Sequence, residues 1–336
     1  MNKIDCHHYS VYVGEHSLEK LKFSSYSKIA ILVDENTKKY CLDILLQETK
    51  LSANLIICID SGESHKTIST CQKIWHELTA SNFDRNSLLI NLGGGVICDM
   101  GGFAASCYKR GIDFIHIPTT LLAMVDASVG GKLGIDFSNL KNQIGLFNHP
   151  QSVLIYPSFL QTLEKRQWKS GFAEIIKHAL IYDNKYWKTL LNKSFDTIQW
   201  ESTILKSIQI KNDIVSNDFK ESGIRKILNF GHTIGHAIES YFLSQGKDIL
   251  HGEAVACGIL QECKLSNISH SEKMEIKKYI DSIFPEIKLP DFDAIMPFIV
   301  QDKKNQNGKL LFSLLTQIGK CEYNCEVRLD TIRKVF

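Results

Sequence analysis

Apolar positions recur along this chain with two different periods, and the change between them divides it. In the first half, short apolar runs are bounded by Gly, Pro, Asp and Asn. Residues 28–33 (KIAILV), 54–59 (NLIICI), 87–92 (SLLINL), 113–117 (DFIHI) and 152–156 (SVLIY) are too short for helices and suit strands buried on both faces. Residues 10–13 read as a further short strand. Between them, residues 67–78 and 96–108 carry apolar side chains at helical spacing. Strand and helix therefore alternate through residues 1–156, which predicts an α/β, Rossmann-like domain with a mostly parallel sheet. After Pro157 the period-two pattern fades. Residues 171–181, 204–214, 224–241, 252–265 and 272–283 show helical spacing, so residues 157–336 are predicted to form an all-α domain. Residues 302–309 (DKKNQNGK) read as a turn between two final short strands.

The densest local pattern is residues 87–142. A buried strand runs into Gly93-Gly94-Gly95, and a helix starts at once. That arrangement points backbone N–H groups at a phosphate, and a β-carbon in the turn would block its approach. GGGxxxD is not the full dinucleotide fingerprint. The neighbours strengthen it: Asp99, Lys109, Arg110, Asp126, Lys132, Lys141 and Asn142 lie among apolar and glycine residues in the same stretch. So many charges around so many glycines suit a polar, anionic small molecule. Other strand ends carry Asp34, Glu63 and Thr119-Thr120. Asp34 opens Asp-Glu-Asn-Thr, which is a helix cap, or a carboxylate placed to hydrogen-bond a ribose hydroxyl. The stretch itself fits both.

Residues 224–241 (IRKILNFGHTIGHAIESY) read as one helix. Arg225, Asn229, His232, His236 and Glu239 then share a face. A buried polar stripe must find partners, in an internal hydrogen-bond network or in a ligand site with a metal. HxxxH places two imidazoles one turn apart, a geometry that suits zinc. His251 follows, and Glu174 sits in an otherwise apolar helix with Lys177 one turn on. Glu174 is an ion-pair partner for that lysine or a further metal ligand; spacing leaves both open.

Composition narrows the class. A chain of 336 residues suggests two domains. The +2 net charge argues against nucleic acid or a membrane surface as a partner. No apolar run has the length of a membrane span, and MNKIDCHHYS lacks a signal core. The ten cysteines include no CxxC, so reduced thiols in a cytoplasmic protein are expected.

Taken together, LGGGVICDMGGFAAS, YKRGIDFIHIPTTLLAMVDASVGGKLGID, LKNQIG, GFAEIIKHALI, KNDIV, GIRKILNFGHTIGHAIE, LHGEAVACG and DKKN resemble the 3-dehydroquinate synthase family of sugar-phosphate cyclases, in family order over nearly the whole chain. The resemblance implies a carbon–oxygen lyase of the shikimate pathway and aromatic amino acid biosynthesis. It would use NAD catalytically, with zinc as the metal; cobalt and manganese accept the same ligands. It implies a dehydroquinate synthase-like fold in which residues 1–156 bind NAD and residues 157–336 carry metal and substrate. Metal ligands would be Glu174, His232 and His251, with His236 beside the metal rather than on it. NAD would lie against Asp34, Asn36, Glu63, Lys66, Gly94, Gly95, Val96, Asp99, Thr119, Thr120, Lys141 and Thr162. Substrate would meet Asp126, Lys132, Asn142, Lys177, Lys211, Arg225, Asn229, His236 and Lys303, with Lys304 the alternative to the last. Arg110 would reach the neighbouring subunit's site, which implies a homodimer. The chain departs from the family pattern at Ala127, Leu133 and Phe219. A related cyclase for sedoheptulose 7-phosphate or glucose 6-phosphate, a metal-dependent polyol dehydrogenase and a non-catalytic NAD-binding protein are the alternatives.

Overall fold

The computed structural model describes residues 1–138, 140–284, 287–300 and 309–336. They form two compact units, Met1–Glu164 with Trp200–Asn212, and Lys165–Gln199 with Asp213–Phe336. Lys303 and Lys304 lie outside the described residues.

The first unit is built on a seven-stranded sheet. Its strands are β1 (Asn2–Cys6), β2 (Tyr9–Val13), β3 (Ile29–Asp34), β4 (Leu55–Ile59), β5 (Leu88–Gly93), β6 (Asp113–Pro118) and β9 (Ser152–Ile155), in the order β1-β2-β9-β6-β5-β3-β4. All neighbours pair in parallel except β1 and β2. The expected strands are thus present to within a residue or two at each end. Strand β1 was not foreseen, because NKIDC alternates polar and apolar over only five residues and lies at the sheet edge. Helices α1 (Glu35–Tyr40), α2 (Leu42–Thr49), α3 (Ile68–Ala80) and α4 (Gly95–Cys107) link the strands. Ile74 and Leu78 of α3 and Ile97, Met100 and Phe103 of α4 pack with Leu32, Leu89 and Phe114 of the sheet into one apolar core.

An antiparallel hairpin, β7 (Lys132–Phe137) and β8 (Leu140–Phe147), stands apart from the main sheet. Strand alternation turns Leu133 into the core while Lys132 stays exposed. The departure at position 133 therefore adds apolar packing on the face opposite the lysine. The unit runs through a turn at Pro157–Thr162, whose Phe159 and Leu160 are buried.

The second unit is helical apart from one hairpin. Its helices are α5 (Lys165–Tyr182), α6 (Asn184–Leu191), the last residues of α7 (Trp200–Asn217), α8 (His232–Ser244), α9 (His251–Leu265), α10 (His270–Asp281), α11 (Phe292–Val300) and α12 (Leu329–Arg333). Strands β10 (Leu311–Gln317) and β11 (Lys320–Glu326) pair antiparallel, so this unit is not purely α. Ile234 and Ile238 of α8, Ala254 and Cys257 of α9, and Ile295 and Ile299 of α11 share a core with Phe312 and Ile332.

Residues 224–241 are not one helix. Ile224–Asn229 is a 3-10 turn, and Gly231, at φ 80°, breaks the chain before α8 begins. A left-handed residue cannot continue a right-handed helix, so Arg225 and Asn229 do not share a helix face with His232, His236 and Glu239.

Candidate active site

Three helices of the second unit are held together at their polar ends. Helix α8 has no capping side chain of its own. Glu262 of α9, fully buried, takes that role: its Oε2 accepts from Gly231 N at 2.6 Å and its Oε1 from Ile234 N at 3.0 Å. Helices α8 and α9 touch at Gly258, where a β-carbon would come within 1.9 Å of the Gly231 carbonyl oxygen. Helix α9 is tied to α5 by Gly252 N donating to Ser170 Oγ at 3.0 Å. Arg166 adds hydrogen bonds to both oxygens of Glu253, at 2.7 and 2.8 Å.

This packing brings Glu174 of α5, His232 of α8 and His251 of α9 together. Glu174 Oε1 lies 3.4 Å from His232 Nε2 and 3.3 Å from His251 Nε2. Neither Glu174 oxygen makes a well-directed hydrogen bond, although both are buried. Ligand atoms about 2.0–2.1 Å from a tetrahedral zinc stand about 3.3 Å from one another. Both Glu174–histidine distances match that spacing. The other nitrogen of each ring is already committed. His232 Nδ1 faces the Phe230 carbonyl at 3.2 Å, and His251 Nδ1 faces Glu239 Oε2 at 3.2 Å. Both partners only accept, so Nδ1 carries a hydrogen and Nε2 is the nitrogen turned toward Glu174.

The three side chains titrate in different directions: burial, with Lys177, pushes His232 below its ordinary value. Burial opposes charge on Glu174, but Lys177 and His232 hold its carboxyl well below the usual range. Burial likewise opposes charge on His251. Glu239 and Glu174 outweigh it and raise the imidazole to about 10, so its surroundings favour positive charge. The Glu174–Lys177 ion pair expected as one of the two readings of that carboxylate is present. His236 completes a second grouping: His232, His236 and His251 each bring a nitrogen within 4.8 Å of the others. Glu174 lies within 3.4 Å of the shared pair and supplies a negative charge.

Nearby, Arg225 is 2% exposed; its Nη1 donates to the Phe219 carbonyl at 2.6 Å and its backbone N–H to Asp218 at 3.0 Å. Asp218 also takes the N–H groups of Ser222 and Gly223, which shapes this turn. Phe219 enters the Arg225 contact through its backbone, so its departure from the family residue leaves that contact intact. Asn229 donates to Glu221 at 2.7 Å.

In the first unit, β5 ends at Gly93 and Gly94 caps α4, with the first N–H groups of a thirteen-residue helix beyond it. Thr119 N bonds the Gly93 carbonyl at 3.0 Å, and Thr120 Oγ1 accepts from Ala123 N at 3.2 Å. The two expected strand-end pieces therefore adjoin. Asp34 is the N-cap of α1: its Oδ1 accepts from Thr37 N at 2.7 Å, and Thr37 Oγ1 accepts from Asp34 N at 3.0 Å. Glu35, which sequence reasoning passed over, joins two strand ends by accepting from Ser61 N and Oγ at 2.9 and 2.7 Å.

Lys66 is 3% exposed and donates to Asp99 Oδ2 at 2.6 Å and Asn142 Oδ1 at 2.8 Å. Burial disfavours its charge, but Asp99 and Glu63 overcome this and raise it further above the usual lysine range. Glu63 and Lys141 stand 3.5 Å apart. Lys211 pairs with Asp126 Oδ1 at 2.8 Å. Asn36 lies in the first turn of α1, Val96 in that of α4, and Thr162 ends the turn after β9. Arg110 is exposed, at φ 69° directly after Lys109 at φ 51°.

Residues 56–170 match the family described as 3-dehydroquinate synthase N-terminal, and residues 171–305 the one described as 3-dehydroquinate synthase C-terminal. The chain is 42% identical to the 3-dehydroquinate synthase of Parabacteroides distasonis over 318 residues, 91% of this chain and 90% of that one. It is similar to the crystal structure of 2-deoxy-scyllo-inosose synthase complexed with carbaglucose-6-phosphate, NAD+ and Co2+, with a TM-score of 0.87 and 27% identity over 99% of this chain and 98% of the other. It shares its fold with 2-epi-5-epi-valiolone synthase from Streptomyces hygroscopicus, solved with NAD+ and Zn2+ bound, at a TM-score of 0.88 and 24% identity over 100% of this chain and 97% of that one.

Proposed function

The chain belongs to the 3-dehydroquinate synthase family, and on that premise we propose that it converts 3-deoxy-D-arabino-heptulosonate 7-phosphate to 3-dehydroquinate and phosphate, a step of aromatic amino acid biosynthesis. The observation that carries this reading is the convergence of Glu174, His232 and His251 at metal-ligand spacing. The cofactors are NAD, as in the related 2-deoxy-scyllo-inosose synthase structure, and a divalent ion, zinc by ligand chemistry and cobalt by that same likeness. When bound, NAD supplies a reversible hydride acceptor and the ion a Lewis acid at the substrate hydroxyls.

The chain's own residues bind, orient and move protons. Glu174, His232 and His251 hold the ion. Gly94, Gly95 and Val96 at the start of α4 take the pyrophosphate, and Asp34, Asn36, Glu63, Lys66, Asp99, Thr119, Thr120, Lys141 and Thr162 surround the rest of NAD. Arg225 grips the substrate carboxylate with its guanidinium fork. Lys132, Asn142 and Asn229 hold the phosphate. Lys177, His236 and Asp126, the last paired with Lys211, handle protons at the ring carbons and oxygens. The departing phosphate takes the proton next to its own carbon. Much of the rate then comes from positioning and charge stabilisation.

Arg225 favours the keto acid over sedoheptulose 7-phosphate and glucose 6-phosphate, which lack a carboxylate. The protein acts as a homodimer in which exposed Arg110 reaches the neighbouring site. It works in the cytoplasm, where its ten unpaired cysteines stay reduced; among the described residues no helix is long and apolar enough to cross a membrane. Phosphate release from the three sugar phosphates tests the assignment. The keto acid phosphate is expected to react, and turnover of either of the others in its place would assign the chain to a different cyclase.

A further inference from the structure

Asp136 has no part in the site derived above, yet two of the residues in it are fastened to it. Its backbone N–H donates to the Lys66 carbonyl at 2.9 Å, and its Oδ1 accepts from the Asn142 backbone N–H at 2.8 Å. The hairpin is irregular here: Ile135 pairs with Ile144, but Phe137 pairs with Leu140, so Asp136 faces three residues of β8. Asn142 occupies the middle of that bulge in the left-handed region, at φ 50°. Such a backbone persists for a non-glycine residue when its surroundings hold it. At the other end of the same residue, Asn142 Oδ1 accepts from Lys66 Nζ at 2.8 Å. An ammonium group can only donate, so this contact fixes which way the amide faces and leaves Nδ2 as the free corner, a pure donor.

We propose that Asp136 is a positioning residue: by holding Lys66 and the left-handed Asn142 at two backbone points, it sets the Asn142 amide with its Nδ2 donor available to an anionic group of the ligand. The sugar phosphate enters this claim only through the functional reading above. The clamp itself stands on the hairpin geometry. Asp136 touches no ligand in this account and acts through Asn142.

Two variants separate the hydrogen bond from the charge. Asp136→Ala removes the acceptor, while Asp136→Asn keeps a carbonyl oxygen at the same place. With NAD and zinc supplied, Asp136→Ala is expected to raise KM for 3-deoxy-D-arabino-heptulosonate 7-phosphate about tenfold, the effect of one displaced hydrogen-bonded anchor, with a smaller change in kcat. Asp136→Asn should stay within about threefold of the wild type. In an Asn142→Gly background, which tolerates positive φ and has no amide to aim, Asp136→Ala should add nothing further. Hydrogen exchange of the peptide containing Asn142 reads the clamp without substrate, and should speed up in Asp136→Ala but not in Asp136→Asn. Equal losses in the two variants, an unchanged KM in Asp136→Ala, or a full additional loss in the Asn142→Gly background would overturn the proposal. If the wild type fails to turn over this substrate, the functional reading falls, and the exchange comparison alone decides the clamp: faster exchange in Asp136→Ala upholds it and unchanged exchange overturns it.

Discussion

Glu239 Oε2 lies 3.2 Å from Nδ1 of His251, while Nε2 of the same ring faces Glu174 at 3.3 Å. The imidazole is thus held between two carboxylates, one facing each ring nitrogen. Outer carboxylates of this kind orient a metal-binding histidine and raise its basicity. Glu239→Gln is therefore expected to weaken zinc binding by about tenfold or more, read by competition with a chromophoric chelator. His251→Ala should lose both bound metal and turnover. A Glu239→Gln protein that binds zinc as tightly as the wild type would remove the carboxylate from this role.

Gly258 is where α8 and α9 meet, and a β-carbon there would come within 1.9 Å of the Gly231 carbonyl oxygen. That atom is backbone and cannot swing aside. Gly258→Ala should cost at least about 1–3 kcal/mol in a denaturant titration, by overpacking. It should also weaken metal binding, because His232 and His251 begin the two helices it would part. Full stability with full metal affinity would show that the contact is not what spaces the ligands.

Arg225 is buried and already donates to the Phe219 carbonyl, so its side chain is set before any ligand arrives. Arg225→Met keeps most of its length and removes the charge and the fork. Binding of the keto acid phosphate should fall at least about a hundredfold, the effect of a lost charge-assisted pair, while NADH affinity holds. Parallel loss of both affinities would place Arg225 outside the substrate site.

His116 is buried in β6 opposite Asn91, whose amide lies 3.2 Å from its Nδ1. Burial pushes its pKa down to about 3 from an ordinary 6.5. The unfolded chain therefore binds a proton that the folded chain refuses. The stability it contributes is complete above the unfolded value and is lost as the pH falls below it toward the folded one. Between about pH 7 and pH 5 this one group should remove about 2 kcal/mol. His116→Gln should flatten that part of the stability–pH curve measured by denaturant titration. An unchanged acid limb would mean that His116 accepts the proton while folded.

Most of the parallel sheet was legible because its strands are continuous apolar runs closed by glycine, proline or aspartate, a pattern with few other solutions. Strand β1 and the β7–β8 hairpin were not, since NKIDC is half polar and KLGIDF is broken by glycine. The break at Gly231 was hidden for a different reason. Residues 224–241 keep a helical period across it, and the glycine turns on a partner, Glu262, thirty-one residues away. The metal set shows the same limit. His232 and His236 are conspicuous as HxxxH, but Glu174 joins the imidazoles only through the packing of α5 on α9, and its local sequence left it open between an ion pair and a ligand until the resemblance chose. Asp34 was legible as a cap from its own four residues because capping is local. Glu35 and Asp136 gave no local signal, since each acts on a residue brought near by the fold; Glu239 showed only as part of a polar helix face, without its partner His251.

The most direct test follows phosphate and NADH together in one reaction. Metal-stripped protein is resupplied with zinc and NAD, then mixed with 3-deoxy-D-arabino-heptulosonate 7-phosphate. Phosphate should appear in step with substrate loss, only when the ion is present, and NADH should never exceed the number of sites. NADH that accumulates with turnover, or phosphate release that continues without the ion, would contradict the account.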